Sequence, residues 1–167
     1  IENLVNEFSD FARMPKPIFK KNELNKVVND SISLMKTNDK DININFDSKE
    51  VYYVNSDIDQ LNRVFINLFK NSIESLKEKH EKMGNFQKKI DVEIQLINDY
   101  INIIVKDNGT GFANNDLGIL SKPYFTTKKE GSGLGLSIVE KILNDHNGFI
   151  EFISQKEGAK IKILLPK

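Results

Sequence analysis

Arg63, Asn67, Asn71 and Glu74 follow one another at spacings of four, four and three, which places them on one stripe of a helix. Asparagine is a poor helix former, and two stacked a turn apart cost stability unless their amides are used. A side-chain amide oxygen is a hard, neutral ligand. It suits Mg²⁺, which keeps most of its waters and takes its remaining oxygens from phosphates. On this helix alone, two solvated asparagines in an Asn-rich chain are the simpler account.

A second stretch, Asp107-Asn108-Gly109-Thr110-Gly111-Phe112, directly follows a strand pattern. A carboxylate at a strand end can accept a hydrogen bond from an exocyclic amine, and the glycines let backbone approach a flat ring. An ordinary Asp-Asn-Gly turn has the same residues. The third stretch, Gly131-Ser132-Gly133-Leu134-Gly135-Leu136, leads into a helix. N–H groups at a helix start, flanked by glycines, form an anion site suited to phosphate. Its third glycine comes too early for a dinucleotide fingerprint, and no Gly-Lys-Ser/Thr is present for a Walker A loop. Between these stretches, Lys122, Phe125, Thr126, Thr127, Lys128 and Lys129 could form a lid over bound phosphates. A solvated charged loop is the plainer reading for Lys129 and Glu130.

The elements that must hold these residues can be read from periodicity. Helical spacing at residues 1–12 stops at Pro15 and Pro17. A helix is expected over residues 23–35, with Leu24, Val27, Val28, Ser31, Ile32 and Met35 inward. Strands are expected at 42–46 and 51–54. Ser56 is the expected N-cap of a long helix reaching about residue 79, with Leu61, Val64, Phe65, Leu68, Ser72 and Leu76 as its core face. Strands at 90–97 and 100–106 flank an Asn98-Asp99 turn. A loop then runs from 107 to 133, a helix from 134 to 145, and strands cover 149–154 and 160–165. This order gives an α+β fold with helices on one face of a sheet.

The 167 residues suit one domain with a short appendage, and 39% hydrophobic residues with eleven Phe suffice for a core. Lys plus Arg and Asp plus Glu number 24 each, so neither a nucleic-acid groove nor a polybasic membrane surface is announced. Cysteine is absent, which excludes thiolate chemistry and disulfides. No apolar run is long enough to cross a bilayer.

In combination and in this order, the motifs resemble the catalytic domain of sensor histidine kinases, in the superfamily that also holds gyrase, Hsp90 and MutL ATPases. Residues 67–71 resemble its N box and 107–111 its first glycine box. Pro123-Tyr124-Phe125-Thr126-Thr127-Lys128 resembles the F box, and 131–136 the second glycine box. The string from Glu7 to Pro15, with Asn71-Ser72-Ile73-Glu74-Ser75-Leu76, is most similar to nitrogen-regulation (NtrB/NtrY) kinases. The resemblance implies a two-layer α/β sandwich of the Bergerat type, with a mixed, mostly antiparallel sheet. Residues 1–17 would be the end of a dimerisation and phosphoacceptor helix, and 18–167 the ATP-binding catalytic domain.

The same resemblance implies ATP and Mg²⁺ as ligands. Asn71 would hold Mg²⁺ with Asn67 in support, and Asp107 would accept the adenine amino group beside Gly109 and Gly111. Gly131, Gly133, Leu134 and Gly135 would cradle phosphates, with Lys128 and Thr127 reaching from the lid. Hydrolytic relatives carry Glu where this chain has Asn67, and Asn cannot take a proton from water. The implied reaction is therefore phosphoryl transfer to a histidine outside this chain, for relay to a response-regulator receiver domain. Neither His80 nor His146 lies in a phosphoacceptor-like sequence, so both are expected to be structural or solvated. The implied full-length protein is a homodimer with this domain in the cytoplasm, and membrane anchorage elsewhere is compatible with it. A serine kinase of the anti-sigma-factor type, a hydrolytic ATPase, and an interaction module without catalysis are the competing readings.

Overall fold

In the computed structural model, residues 9, 12–38, 41–112, 117–125 and 133–167 are described. A five-stranded sheet is laid down in the order β2 (Asn43–Ser48), β4 (Lys89–Ile97), β5 (Tyr100–Asp107), β7 (Ala159–Pro166) and β6 (Phe149–Ser154). β2 runs parallel to β4 and the other neighbours are antiparallel, so the sheet is mixed. Three helices, α1 (Leu24–Asn38), α2 (Ile58–Met83) and α3 (Gly135–Asp145), accompany it.

Strand alternation decides which face they cover. Ile90, Val92, Ile94, Ile103, Val105, Ile161 and Ile163 point one way and are buried. They share a core with Leu61, Val64, Phe65 and Leu68 of α2 and with Ile138, Val139, Ile142 and Leu143 of α3. Every residue expected on the inner sides of α1 and α2 is buried. Truncating a side chain such as Phe65 here would cost about 3–5 kcal/mol.

Three details depart from the sequence pattern. Asp57, not Ser56, caps α2: its Oδ1 accepts the Asp59 and Gln60 N–H groups, each at 3.1 Å. Ser56 instead ends β3 (Tyr53–Ser56), buried, with its carbonyl accepting Asn22 Nδ2 at 2.8 Å. β3 pairs with β1 (Lys20–Glu23), a strand the polar string Lys-Lys-Asn-Glu does not signal, and the two form a separate small sheet. Asn25 secures it to the body, accepting Tyr52 N–H at 2.8 Å and donating to the Glu50 carbonyl at 3.0 Å. Finally, α2 runs a turn past residue 79, to Met83, and stops at Gly84 with φ +80°.

The helix expected over residues 1–12 lies largely outside the described residues. Ser9 and Ala12 are helical, and Arg13 N–H donates to the Ser9 carbonyl at 2.9 Å. Beyond it, Gln60 Nε2 donates to the Pro15 carbonyl at 2.9 Å and Ile18 N–H donates to Asp57 Oδ2 at 2.8 Å. The entering chain is thus fastened to the first turn of α2. Among the described residues no helix is long and apolar enough to cross a membrane.

Candidate functional site

The site is built where α2, the end of β5 and the start of α3 meet. α2 leans its apolar face on the sheet, which leaves the adjacent stripe half in solvent. Arg63, Asn67 and Asn71 are half-buried there, and Glu74 is exposed. Asn67 Nδ2 donates to the Arg63 carbonyl at 2.9 Å, so its amide oxygen points away from its own helix. It points at Gly135: a Cβ placed on that glycine would lie 3.3 Å from Asn67 Oδ1. The N-box helix and the phosphate-type helix start are therefore neighbours, as the motifs require.

Asp107 is the last residue of β5 and only 4% exposed. Its Oδ1 accepts the Gly109 N–H at 2.9 Å and the Ala159 N–H at 3.2 Å, and the Ser72 hydroxyl hydrogen-bonds the same carboxyl. Burial nonetheless wins and pushes its pKa up, against the opposing pull of these donors and of the Lys79 charge. A buried carboxylate whose donors are backbone amides is rigidly aimed.

Glycine is required around it by space more than by backbone freedom. A Cβ on Gly109 would overlap the Ser75 side chain and stand 2.8 Å from its carbonyl carbon. Gly133 has φ +70°, and its Cβ would meet the Tyr124 carbonyl carbon at 2.6 Å. Gly111, at φ +79°, faces the Gly158 carbonyl. Leu134 is buried and precedes α3, whose first turn lacks intrahelical partners for its N–H groups.

Of the residues expected at the site, Asn67 is brought to Gly135, and Asp107 and Gly109 are brought to Ser72 and Ser75 of the same helix, which also carries Asn71. Gly111 meets Gly158, and Gly133, one residue before Leu134, meets Tyr124. Thr127, Lys128 and Gly131 lie outside the described residues. Within the expected lid a short 3-10 turn, Leu117–Ile119, interrupts the loop. Ser72, Ser75 and Lys79 were not expected at the site, although three polar residues at 72, 75 and 79 on one helix face were visible in the sequence. No group of three or more His, Cys, Asp or Glu able to hold a metal occurs among the described residues. The Asn71 side chain carries an amide oxygen, a hard neutral donor compatible with Mg²⁺ whose other ligands are water and phosphate oxygens.

His146 is buried and structural. Its Nε2 accepts the Asp57 N–H at 3.0 Å while Nδ1 donates to the Ile142 carbonyl at 2.7 Å, which fixes one neutral tautomer. Phe19 packs edge-on against the ring. His80 sits half-buried near the far end of α2. A cavity of about 480 Å³ opens beside the end of β5, lined by Lys89, Asp91, Lys106, Asp107, Asn108, Lys156 and Glu157.

Residues 56–167 match the family of histidine kinase-, DNA gyrase B- and HSP90-like ATPases. The chain belongs to that family. Within the ATPase family its relatives are sensor histidine kinases. An NtrY-like sensor histidine kinase of Rickettsia conorii is 38% identical over 165 residues, which cover 98% of this chain and 26% of that protein. The chain thus spans about a quarter of that relative's length. The catalytic domain of the histidine kinase ThkA superposes with a TM-score of 0.78 at 25% identity, covering 90% of this chain and 96% of that one. ThkA in complex with the response regulator protein TrrA superposes with a TM-score of 0.77 at 24% identity, covering 99% and 47%. The α/β sandwich with its mixed sheet is the fold these catalytic domains share.

Proposed function

We propose that this chain binds Mg-ATP and transfers the γ-phosphoryl group to a histidine on a helix outside residues 1–167, for relay to the aspartate of a response-regulator receiver domain. The observation that carries the reading is Asp107: a buried carboxylate aimed by backbone donors and held against α2 by Ser72. Asp107 accepts the adenine amino group, and Gly109 and Gly111 leave the base room. Gly131, Gly133, Leu134 and Gly135 present backbone N–H groups to the phosphates, with Thr127 and Lys128 closing from the lid.

Asn71 holds Mg²⁺ through its amide oxygen, supported by Asn67. The ion, when bound, neutralises phosphate charge. Asn67 stands at the position where hydrolytic relatives carry Glu, and its amide cannot serve as a base. What the residues supply is position and charge neutralisation. Water is not activated, so hydrolysis is slow.

In this reading residues 1–17 end the dimerisation and phosphoacceptor helix and 18–167 form the catalytic domain. The partners are the protein's own dimerisation helices, in a homodimer, and a response regulator, as ThkA has TrrA. The domain works in the cytoplasm. Calorimetric titration with a non-hydrolysable ATP analogue and Mg²⁺ tests it: the native chain binds, and Asp107→Ala, still folded, does not. No binding by the native chain would favour an interaction module instead. Incubation with labelled ATP should leave neither His80 nor His146 stably phosphorylated.

A further inference from the structure

Lys79 lies two turns beyond Asn71 on α2, and its side chain is only 12% exposed. Its Nζ donates to the Asn108 carbonyl at 2.7 Å and to Glu157 Oε1 at 2.5 Å, and it stands 4.7 Å from the centre of the Phe86 ring. One ammonium thereby ties the helix to two loops. The first carries Asn108 and Gly109, immediately after Asp107. The second is the β6–β7 turn, where Gly158 runs so close that a Cβ on it would collide with the Asp107 carbonyl and Asn108 Cα.

Ser75, one turn earlier, completes the arrangement. Its Oγ accepts the Thr110 N–H at 2.9 Å and pairs with the Thr110 hydroxyl at 3.1 Å. Ser72, a further three residues back, hydrogen-bonds the Asp107 carboxyl. Spacings of three and four put Ser72, Ser75 and Lys79 on one face of α2, and that face engages residues 107, 110 and 108 respectively. From the other side Asn108 Oδ1 accepts the Lys89 N–H and its Nδ2 donates to the Gln87 carbonyl, each at 2.9 Å. Gly109, between the two fastened peptide units, is pressed against Ser75. The loop is therefore held by charge and hydroxyl groups that none of the four motifs contains.

We infer that Lys79, with Ser75, is a positioning residue for the base end of the site, fixing the backbone of residues 108–110 so that the Asp107 carboxyl is preset for an adenine amine. The inference rests on the nucleotide reading above and adds how the base is selected. Lysine suits the task because three donors on one compact charge can serve a carbonyl and a carboxylate together. Glu157 keeps the ammonium in place, and its own pKa is lowered first by the hydrogen bond from Lys79 and then by that residue's charge. Without the ammonium, the partly buried Asn108 carbonyl loses its side-chain donor, and 108–110 regain freedom that binding must then remove.

Lys79→Met keeps an unbranched side chain of similar length and removes charge and donor; Lys79→Arg keeps both. Amide exchange is followed in the nucleotide-free chain, and affinity is measured for Mg-ADP and Mg-GDP. In Lys79→Met, exchange at Gly109 and Thr110 should quicken, ADP affinity should fall about tenfold, and the preference for ADP over GDP should shrink. Lys79→Arg should recover most of the loss, and Ser75→Ala should reproduce part of it. Native exchange rates, or unchanged ADP affinity and preference in Lys79→Met, would overturn the role of the lysine. Equal losses for ADP and GDP would do the same, pointing to general damage. Failure of the native chain to bind ADP would instead remove the nucleotide reading itself.

Discussion

The amide oxygen of Asn67 faces the first residue of α3 so closely that a methyl group on Gly135 would stand 3.3 Å from it. Two motifs distant in the sequence therefore share one contact. Gly135→Ala should gain helix propensity, by no more than about 1 kcal/mol, while forcing Asn67 to turn. Urea unfolding should show a change within about 1 kcal/mol, whereas affinity for a Mg-ATP analogue should fall.

Gly133→Ala should be harsher. The backbone there has φ +70°, and the added Cβ would meet main-chain atoms of Tyr124 and Phe125, which cannot swing aside as a side chain can. A left-handed alanine alone costs roughly 1–2 kcal/mol. Chemical denaturation should register at least that loss, and nucleotide titration a larger proportional loss than for Gly135→Ala.

Asp107 gives the domain a pH signature. Burial raises its pKa in the folded state, above the ordinary value of 3.8. The folded chain therefore holds this proton longer than the unfolded chain does. The associated stability is fully present below 3.8 and is lost as pH rises through the folded value. Asp107→Asn removes the effect. Urea unfolding at a series of pH values should show the variant gaining on the native chain as pH rises from 3.8. Adenine nucleotide binding should weaken at every pH, because an amide N–H₂ set against an amino group offers donor to donor.

Asp57 behaves oppositely. Burial works against its ionisation, but the N–H groups of Ile18, Gln60 and Asp59 outweigh it and hold the carboxyl below its usual range. Its contribution is present above the unfolded pKa and lost as pH falls through the folded one. Asp57→Ala should cost about 1 kcal/mol as a lost cap at neutral pH, and less in strong acid. Thermal unfolding at the two pH values checks this. The same substitution should loosen residues 13–18, seen as faster amide exchange at Ile18.

Much of this architecture is legible residue by residue. The apolar spacing along α1 and α2 named their buried faces correctly, and Asn98, at φ 55°, turns the hairpin where Asn-Asp was expected to. Where the pattern failed, the deciding partner was distant. Ser56 and Asp57 are both good capping residues, and Ile18, thirty-nine positions away from Asp57, shares that carboxylate. Lys20 to Glu23 carries no apolar alternation, because its strand is defined by pairing with β3 and not by a buried face.

The division at the site follows the same line. The sequence by itself determined the chemistry available: amide oxygens on one helical stripe, a carboxylate at a strand end, glycines before a helix, and no base at position 67. These are local facts, set by side-chain type and by the fixed periods of helix and strand. Only the tertiary structure decided that Ser72, Ser75 and Lys79 grip residues 107–110, that Asn67 abuts Gly135, and that His146 is a neutral strut under Asp57. Those contacts join residues 29 to 89 positions apart. They exist because the register of β4, β5 and β7 sets where each loop emerges beneath α2, and no local pattern encodes that register.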